Sequence, residues 1–191
     1  MIKYLINITD NQIKKINALL SGTLKNLRGK VYYNAVSRAL LAANTEVNKG
    51  IREIYNISAQ TIKASSKMKK ELIKHTDDTI GKLNYAGNMI ELKKFKINTN
   101  KYGKDIKASV LKKNSGTHLE RAFVAQMKYG KNIFERAAKS RHIVQVLYGP
   151  SVAHMAGKED IVNKAEEKAK KVLDERIEHE IDRILNGYGM K

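Results

Sequence analysis

Cysteine is absent from the 191 residues, which excludes disulfide bonds, thiolate metal sites and cysteine nucleophiles together. Stability must therefore come from packing or from assembly. No apolar run approaches the ~20 residues that a membrane-spanning helix needs, and the start Met1–Tyr4 lacks the regions of a signal peptide. We expect a soluble protein made in the cytoplasm, with no membrane contact and a single domain over residues 1–191.

Proline occurs once, in the stretch Leu147–Val152. Pro150 has a fixed φ and no N–H group, so strand hydrogen bonding is not expected to continue through it. Gly149 tolerates backbone angles that bulkier residues resist, and the Ser151 hydroxyl can cap or brace a turn. Tyr148, Gly149, Pro150 and Ser151, here called the corner motif, form either a structural corner or a partner contact.

Acidic residues are scarce, with 19 against 37 basic residues and a net charge of +18. The excess lies at the front of the chain, where the residues through Lys113 carry +15 and the remainder carries +3. Such a field favours anionic partners, either nucleic acid or an acidic protein surface. Only 8 basic residues are arginine, the residue that base readers favour, so the composition does not favour sequence-specific recognition.

The N-terminal part, about residues 9–74, has helical periodicity after one short strand. Alternating apolar residues over Ile2–Ile8 predict that strand, and Thr9 with Gln12 matches the capping box of a short helix. Apolar residues spaced three and four positions apart over Lys30–Asn56 predict a long amphipathic helix. Its small residues allow close approach by another backbone, from this chain or from another subunit. The lysine-rich stretch Ser58–Lys74 predicts a further, exposed helix.

From about residue 79 to 148, short apolar runs alternate with glycine, asparagine or polar breaks, which predicts strands. The connections are too short for parallel crossovers, so we expect antiparallel pairing. Two breaks, Asn98–Lys104 and Lys112–Gly116, predict hairpin tips. The predicted strands are Thr79–Tyr85, Met89–Ile97, Asp105–Leu111, Arg121–Lys128, Ile133–Ala137 and Ile143–Tyr148.

The C-terminal part, about residues 158–186, carries a continuous aliphatic stripe from Ile161 to Ile184. A stripe of this width predicts a long helix laid across a sheet. The sequence as a whole therefore predicts an α+β fold, in which an antiparallel sheet of short strands packs against long N-terminal and C-terminal helices.

Patterns that carry catalysis or bind metal are missing from the sequence. The histidines show no i, i+4 pair of the helical metal-site type, and Gly149–Ala153 lacks the second glycine of a nucleophile elbow. We expect no catalytic residues, no metal, no cofactor and no enzymatic activity. A hydrolase would instead require distant titratable residues to meet in a pocket. The histidines are His75, His118, His142, His154 and His179.

Short motifs spread from about Ala35 to Leu185 carry a family resemblance. They are Ala35–Leu40 with Ala42–Thr45, Arg52–Tyr55, the triplet Ile90, Leu92 and Phe95, then Ala122-Phe123, Gly130 and Ile133–Arg136, and most strongly Leu147–Val152. In this order and spacing they resemble the phage minor tail protein Z family, the tail-completion proteins of long-tailed phages and prophages. Two prolines common in that family are replaced here by Glu91 and His142.

The resemblance implies a structural virion protein that completes the head-proximal end of a phage or phage-like tail, enabling tail termination and head–tail joining. It implies a homo-oligomeric ring, expected to be a hexamer, around the DNA path, assembled in the host cytoplasm. Its partners would be the tail tube or tail terminator protein and the head–tail connector proteins.

Two groups of lysines are candidates for a basic contact face toward DNA in the lumen or toward an acidic neighbouring ring. Lys67, Lys69, Lys70 and Lys74 lie in the predicted exposed helix, and Lys101 and Lys104 lie at a predicted hairpin tip. The alternative function is a free basic nucleic-acid-binding protein, which would keep its affinity for DNA near physiological salt.

Overall fold

The computed structural model describes residues 2–20, 25–74, 79–100, 105–127, 130–137 and 144–186. Long helices combine with short strands, so the predicted α+β class is confirmed. The helices described are α1 Asp10–Leu19, α2 Lys25–Ile54, α3 Ala59–Ser65, α4 Val152–Ala156 and α5 Glu159–Leu185. The strands described are β1 Ile2–Ile6, β2 Lys67–Lys74, β3 Thr79–Ala86, β4 Met89–Glu91, β5 Lys96–Asn98, β6 Ile106–Ser109, β7 Thr117–Leu119, β8 Ala122–Met127, β9 Gly130–Arg136, β10 Val144–Val146 and β11 Tyr148–Ser151.

The described strands form four small sheets, with the orders β1-β3-β2, β10-β9-β8, β11-β4 and β5-β6-β7. Each pair of strands whose register is described is antiparallel, as the short connections predicted. The chain divides into two compact units. Unit 1 comprises Met1–Val47, Met68–Tyr85 and Gly157–Lys191, and unit 2 comprises Asn48–Lys67 and Ala86–Ala156. Helix α2 contributes residues to both.

Unit 1 is built from the two predicted helical stripes and one three-stranded sheet. The capping box of α1 is present, with the Thr9 hydroxyl accepting from the Gln12 amide N–H and the Gln12 side chain accepting from the Thr9 N–H. Helix α5 packs against β1 and α1. Its buried residues confirm the predicted stripe, and they are Ile161, Ala165, Ala169, Leu173, Ile177, Ile181 and Ile184.

The small-residue side of α2 is used inside unit 1. Ala35 and Ala39 are buried, and a Cβ built on Gly81 of β3 would lie 2.6 Å from the Val36 Cγ1. A strand can approach the helix this closely because Gly81 has no side chain. At this position the contact is therefore ordinary packing within one chain. The Tyr85 hydroxyl, also on β3, donates to the Asn44 Oδ1 at 2.6 Å, and burial raises the pKa of Tyr85.

Unit 2 joins the end of α2 to the sheet β5-β6-β7. Tyr55 forms an isolated bridge with Leu111, and the Asn56 N–H donates to the Val110 carbonyl at 2.8 Å. The Asn56 side-chain amide donates to the Ser109 carbonyl at 2.9 Å. In the sheet β10-β9-β8, the rings of Phe123 and Phe134 pack with centroids 6.2 Å apart. These contacts tie the chain after α2 to the sheet β5-β6-β7 and hold β8 against β9.

The predicted helix Ser58–Lys74 is wrong in its second half. Helix α3 ends at Ser65, Ser66 has extended backbone angles, and Lys67–Lys74 forms strand β2 beside β3. Lysine, methionine, glutamate and leucine are good helix formers, but propensity differences are small, and pairing with a neighbouring strand overrides them.

Two predicted strands are also divided. Met89–Ile97 splits into β4, a 3₁₀ turn at Leu92–Lys94 and β5. The predicted strand Ile143–Tyr148 becomes β10 and the start of β11, and its first residue lies outside the described residues. The hairpin prediction at Lys112–Gly116 is confirmed, because β6 and β7 pair across it and Gly116 has φ +100°.

Candidate functional site

The corner motif forms strand β11, which pairs with β4 on both sides of Pro150. Gly149 lies opposite Ile90 and Ser151 lies opposite Met89, so Pro150 is an extra residue in a bulge. The prediction that pairing stops at Pro150 is therefore wrong. A bulged residue is left out of the ladder and needs no N–H donor, which is why the strand accepts proline here.

Gly149 is required for space. A Cβ at this position would lie 2.6 Å from the Cε2 of Phe95, and Phe95 is buried. A side chain on Gly149 would have to displace an aromatic ring held in the core of unit 2. Glycine at position 149 thus allows β11 to lie directly on Phe95.

Ser151 has the capping role that the sequence predicted. Its hydroxyl oxygen accepts from the His154 N–H at 3.1 Å, at the start of α4. The chain therefore passes from strand to helix within the motif. Val152 and Met155 of α4 are fully buried, which anchors the exit from the corner.

Tyr148 is the exposed member of the motif, with half of its side chain accessible. It lines a cavity of about 520 Å³ in unit 2, here called the corner groove, together with Pro150 and His154. The other walls come from Tyr55 after α2 and from Leu111 and Leu119 around the sheet β5-β6-β7. The lining is mainly apolar, and such a concave surface can receive an apolar side chain of a partner.

The walls of the corner groove are held by backbone hydrogen bonds. The Leu147 N–H donates to the Ile133 carbonyl at 3.0 Å, and the Leu147 carbonyl accepts from the Leu92 N–H at 2.9 Å. Burial raises the pKa of Tyr55. Sequence reasoning missed Tyr55, Leu119 and His154 as neighbours of the motif, because they come from separate stretches that carry no common pattern.

The four candidate lysines on β2 are divided between the two faces of that strand. Side chains alternate along β2, so Lys67 and Lys69 point away from the side that Lys70 and Lys74 occupy. Lys70 Nζ donates to the Ser37 hydroxyl of α2 at 2.6 Å, and Lys74 Nζ lies 4.2 Å from the centroid of the Tyr33 ring. Lys101 and Lys104 lie outside the described residues.

The environments of the four β2 lysines differ accordingly. Burial and, to a smaller extent, the positive charge of Arg38 lower the pKa of Lys70. Cation–π contact with Tyr33 holds Lys74 against α2. Lys67 and Lys69 are exposed. Two of the predicted contact residues are thus engaged within unit 1, and two are directed to solvent.

Within the described ranges, no group of three or more histidine, cysteine, aspartate or glutamate side chains is arranged to hold a metal ion. His118 pairs with Asp105 at 2.7 Å, with both side chains well exposed. The described helices include none long and apolar enough to cross a membrane.

Comparison with known families relates the chain to phage tails. The family model for prophage minor tail protein Z (GPZ) matches residues 9–188 of the 191. The chain belongs to the prophage minor tail protein Z family. It is thus a structural protein of a phage tail, located in the virion tail and interacting with other tail or virion components. No curated protein and no solved structure was found to match it.

Two of the motifs that carried the resemblance to the minor tail protein Z family meet in space. The triplet Ile90, Leu92 and Phe95 is buried, and it lies on and after strand β4, the partner of β11. The corner motif therefore packs on the earlier motif through Gly149 and Phe95. Two further motifs of the resemblance, Ala122-Phe123 and Ile133–Arg136, lie in the paired strands β8 and β9, where Phe123 lies opposite Phe134.

Proposed function

We propose that this chain is the subunit of a homo-oligomeric ring, expected to be a hexamer, that completes the head-proximal end of the tail. In this position it enables tail termination and head–tail joining. The observation that carries the proposal is the family match over residues 9–188. Each subunit of a ring contacts its two neighbours through two different surfaces. The ring closes when the rotation from one subunit to the next divides a full turn; otherwise an open filament forms.

The proposed partners are the tail tube or tail terminator protein on one side and the head–tail connector proteins on the other. The corner groove is the proposed contact with one of them, because Tyr148 is half exposed while Gly149 and Ser151 beside it are fixed. Aromatic residues that protrude beside an apolar cavity are typical of residues that dominate binding energy. We propose no catalytic role for the chain.

Tyr148→Ala tests the corner groove as a contact. The exposed ring contributes little to the fold, so the variant should unfold at nearly the wild-type temperature. Losing an interface anchor of about 2 kcal/mol weakens binding roughly thirtyfold. In a strain whose own gene is deleted, we expect the variant to reduce the number of joined head–tail particles, counted by electron microscopy, at least tenfold.

Met127→Ala is the matched control, because Met127 is an exposed apolar residue of unit 2 that does not line the corner groove. It should complement like the wild type. Normal joining with Tyr148→Ala would contradict the contact. Antibody labelling that places the protein away from the head-proximal end of tails would contradict the proposed function itself.

The alternative function, a free basic nucleic-acid-binding protein, is favoured by the net charge of +18. A salt titration with duplex DNA separates the two. A free binder keeps measurable affinity near physiological ionic strength, with a steep dependence on salt. Binding by the isolated chain that disappears at moderate salt would support the tail function.

A further inference from the structure

One face of the sheet β1-β3-β2 in unit 1 is turned away from the described helices of that unit. Gly81 and Tyr85 of β3 contact α2, and β1 residue Tyr4 is buried with them. Because side chains alternate along a strand, Lys3, Leu5 and Lys82 lie on the opposite face. On β2, Lys70 and Lys74 contact α2, so Lys69 and Glu71 also belong to that opposite face.

We call this face of the sheet within unit 1 the open face. Its charged residues are Lys3, Lys69, Glu71 and Lys82, and the same alternation places Leu5, Ile73, Ile80 and Asn84 on it. Lys3, Lys69 and Glu71 are exposed, Leu5 is 56% exposed, and Lys82 is half-buried. Lys82 lies opposite Leu5 in the β1–β3 register, so Lys3 and Lys82 are diagonal neighbours whose Cα atoms are expected about 7–8 Å apart. Among the residues that the structure describes, none forms an ion pair or hydrogen bond with the ammonium groups of Lys3, Lys69 and Lys82.

The chemistry of the open face fits phosphate better than protein. Lysine is depleted in the cores of protein–protein interfaces, which favour aromatic residues, methionine and arginine. The open face has no described aromatic side chain on which a base could stack, and stacking is what single-stranded binding sites use. Three mobile point charges suit the backbone of a duplex, which carries one negative charge per ~1.7 Å of axis.

We propose that the open face is a sequence-independent contact surface for the phosphates of duplex DNA. Three lysines opposed by one glutamate give a weak contact for a single subunit. When the subunit is repeated around a ring, binding of DNA by one subunit raises the effective concentration of DNA at the others, so the weak contacts together give stronger binding. The ring rests on the proposed function above. DNA binding by the open face is measured on the purified chain, so a failure of this proposal can be told apart from a failure of the proposed function.

The test is the triple variant Lys3→Gln, Lys69→Gln, Lys82→Gln, with binding to a fluorescent duplex measured by anisotropy between about 50 and 200 mM salt. Salt dependence is measured as the slope of the logarithm of the binding constant against the logarithm of the salt concentration. Each lost phosphate contact reduces the magnitude of this slope by about 0.9, so for the triple variant it should fall by about 2.7. The matched control is Lys168→Gln, Lys170→Gln, Lys171→Gln, which removes the same charge from exposed positions of α5 and should leave the slope unchanged.

Glu71→Gln supplies a test of opposite sign, because it removes the negative charge of the open face. It should tighten binding several-fold at low salt. Equal slopes for the two triple variants, or weaker binding by Glu71→Gln, would overturn the proposal. Unchanged binding by the open-face variant would also overturn it and would favour a protein partner for that surface.

Circular dichroism checks that each variant is folded. If the open-face triple variant fails to fold, the single variants Lys3→Gln and Lys69→Gln replace it, and each should reduce the slope by about 0.9. Unchanged slopes in both single variants would overturn the proposal.

Discussion

The two units achieve close packing by different means. In unit 1, seven buried residues of α5 follow one another along 27 residues, and α2 adds a second stripe. In unit 2, the corner motif depends on single close contacts, such as Gly149 on Phe95 and the Ser151 hydroxyl on the His154 N–H. Burial along α5 is therefore spread over many equivalent positions, whereas in the corner motif single contacts decide the packing, as they do at Gly81 against Val36 in unit 1.

This difference separates what each unit can tolerate. A stripe of aliphatic residues accepts volume-conserving exchanges, because total volume and pattern are kept. A glycine that lies against a buried ring accepts no side chain without moving that ring. We expect the largest effects along the α5 stripe of unit 1 from substitutions that remove volume. At Gly149 of the corner motif, as at Gly81 of β3, we expect them from substitutions that add volume.

The largest expected effect is that of Leu173→Ala in α5. Leu173 is buried, and removing a buried leucine side chain costs about 2–5 kcal/mol of unfolding free energy. Denaturant titration measures the loss. Leu185→Ala, at an exposed position of the same helix, should change the unfolding free energy by less than about 0.5 kcal/mol.

The same titration tests the predicted single domain. Helix α2 is continuous through both units, with Val47 buried in unit 1 and Ile51 buried in unit 2. We therefore expect one cooperative transition that Leu173→Ala shifts as a whole. Two separated transitions, of which only one moves, would contradict a single domain.

The next effect is that of Gly149→Ala, which adds one methyl group against Phe95. Overpacking of this kind costs about 1–3 kcal/mol. The matched control is Gly29→Ala in α2, where an added Cβ meets no atom within 4 Å. Because alanine favours the helix over glycine, this control should stabilise the chain by about 0.5–1 kcal/mol. Thermal unfolding of the two variants should therefore shift in opposite directions, and a neutral Gly149→Ala would show that Phe95 is free to move.

The helical part of unit 1 could be predicted from the sequence because its signals are local. The stripe of α5 and the Thr9–Gln12 capping box each lie within a few turns of one helix, and the structure has both. Strand β2 could not be predicted in this way. Lys67–Lys74 consists mostly of residues that favour a helix, and its strand state is decided by the neighbouring β3, which is a tertiary contact.

The candidate site was predictable only in part. The corner motif was identifiable by its proline, and the Ser151 hydroxyl was expected to cap or brace a turn, but helix α4, which begins at Val152 and which Ser151 caps, was not predicted. The bulge at Pro150 and the need for glycine at position 149 depend on β4 and Phe95, more than 50 residues earlier in the chain. The residues that complete the corner groove share no sequence signal, because a cavity is formed only when distant stretches pack together.

The smallest expected effect is that of the exposed ion pair between α1 and α5 in unit 1. Lys15 Nζ lies 2.7 Å from the Glu178 Oε1, with side chains 50% and 63% exposed, and water screens such pairs strongly. The hydrogen bond and charge of Lys15 lower the pKa of Glu178 from its usual 4.5. A lowered carboxyl pKa means that the stabilisation is present above that usual value and is lost as pH falls through the lowered pKa. The same bond with Glu178 raises the pKa of Lys15 from its usual 10.5, so its share is lost as pH rises through the raised pKa.

Glu178→Gln should therefore destabilise slightly at neutral pH, and its difference from the wild type should disappear in acid, as followed by thermal unfolding at a series of pH values. Lys15→Gln should cost more, because Lys15 also interacts with Asp174 and Asp182 of α5. Glu175→Gln, an exposed position of the same helix, is the control and should show no such dependence. A difference for Glu178→Gln that persists below the pKa of the carboxyl would show that Glu178 contributes through packing, and that even this polar edge of unit 1 depends on burial.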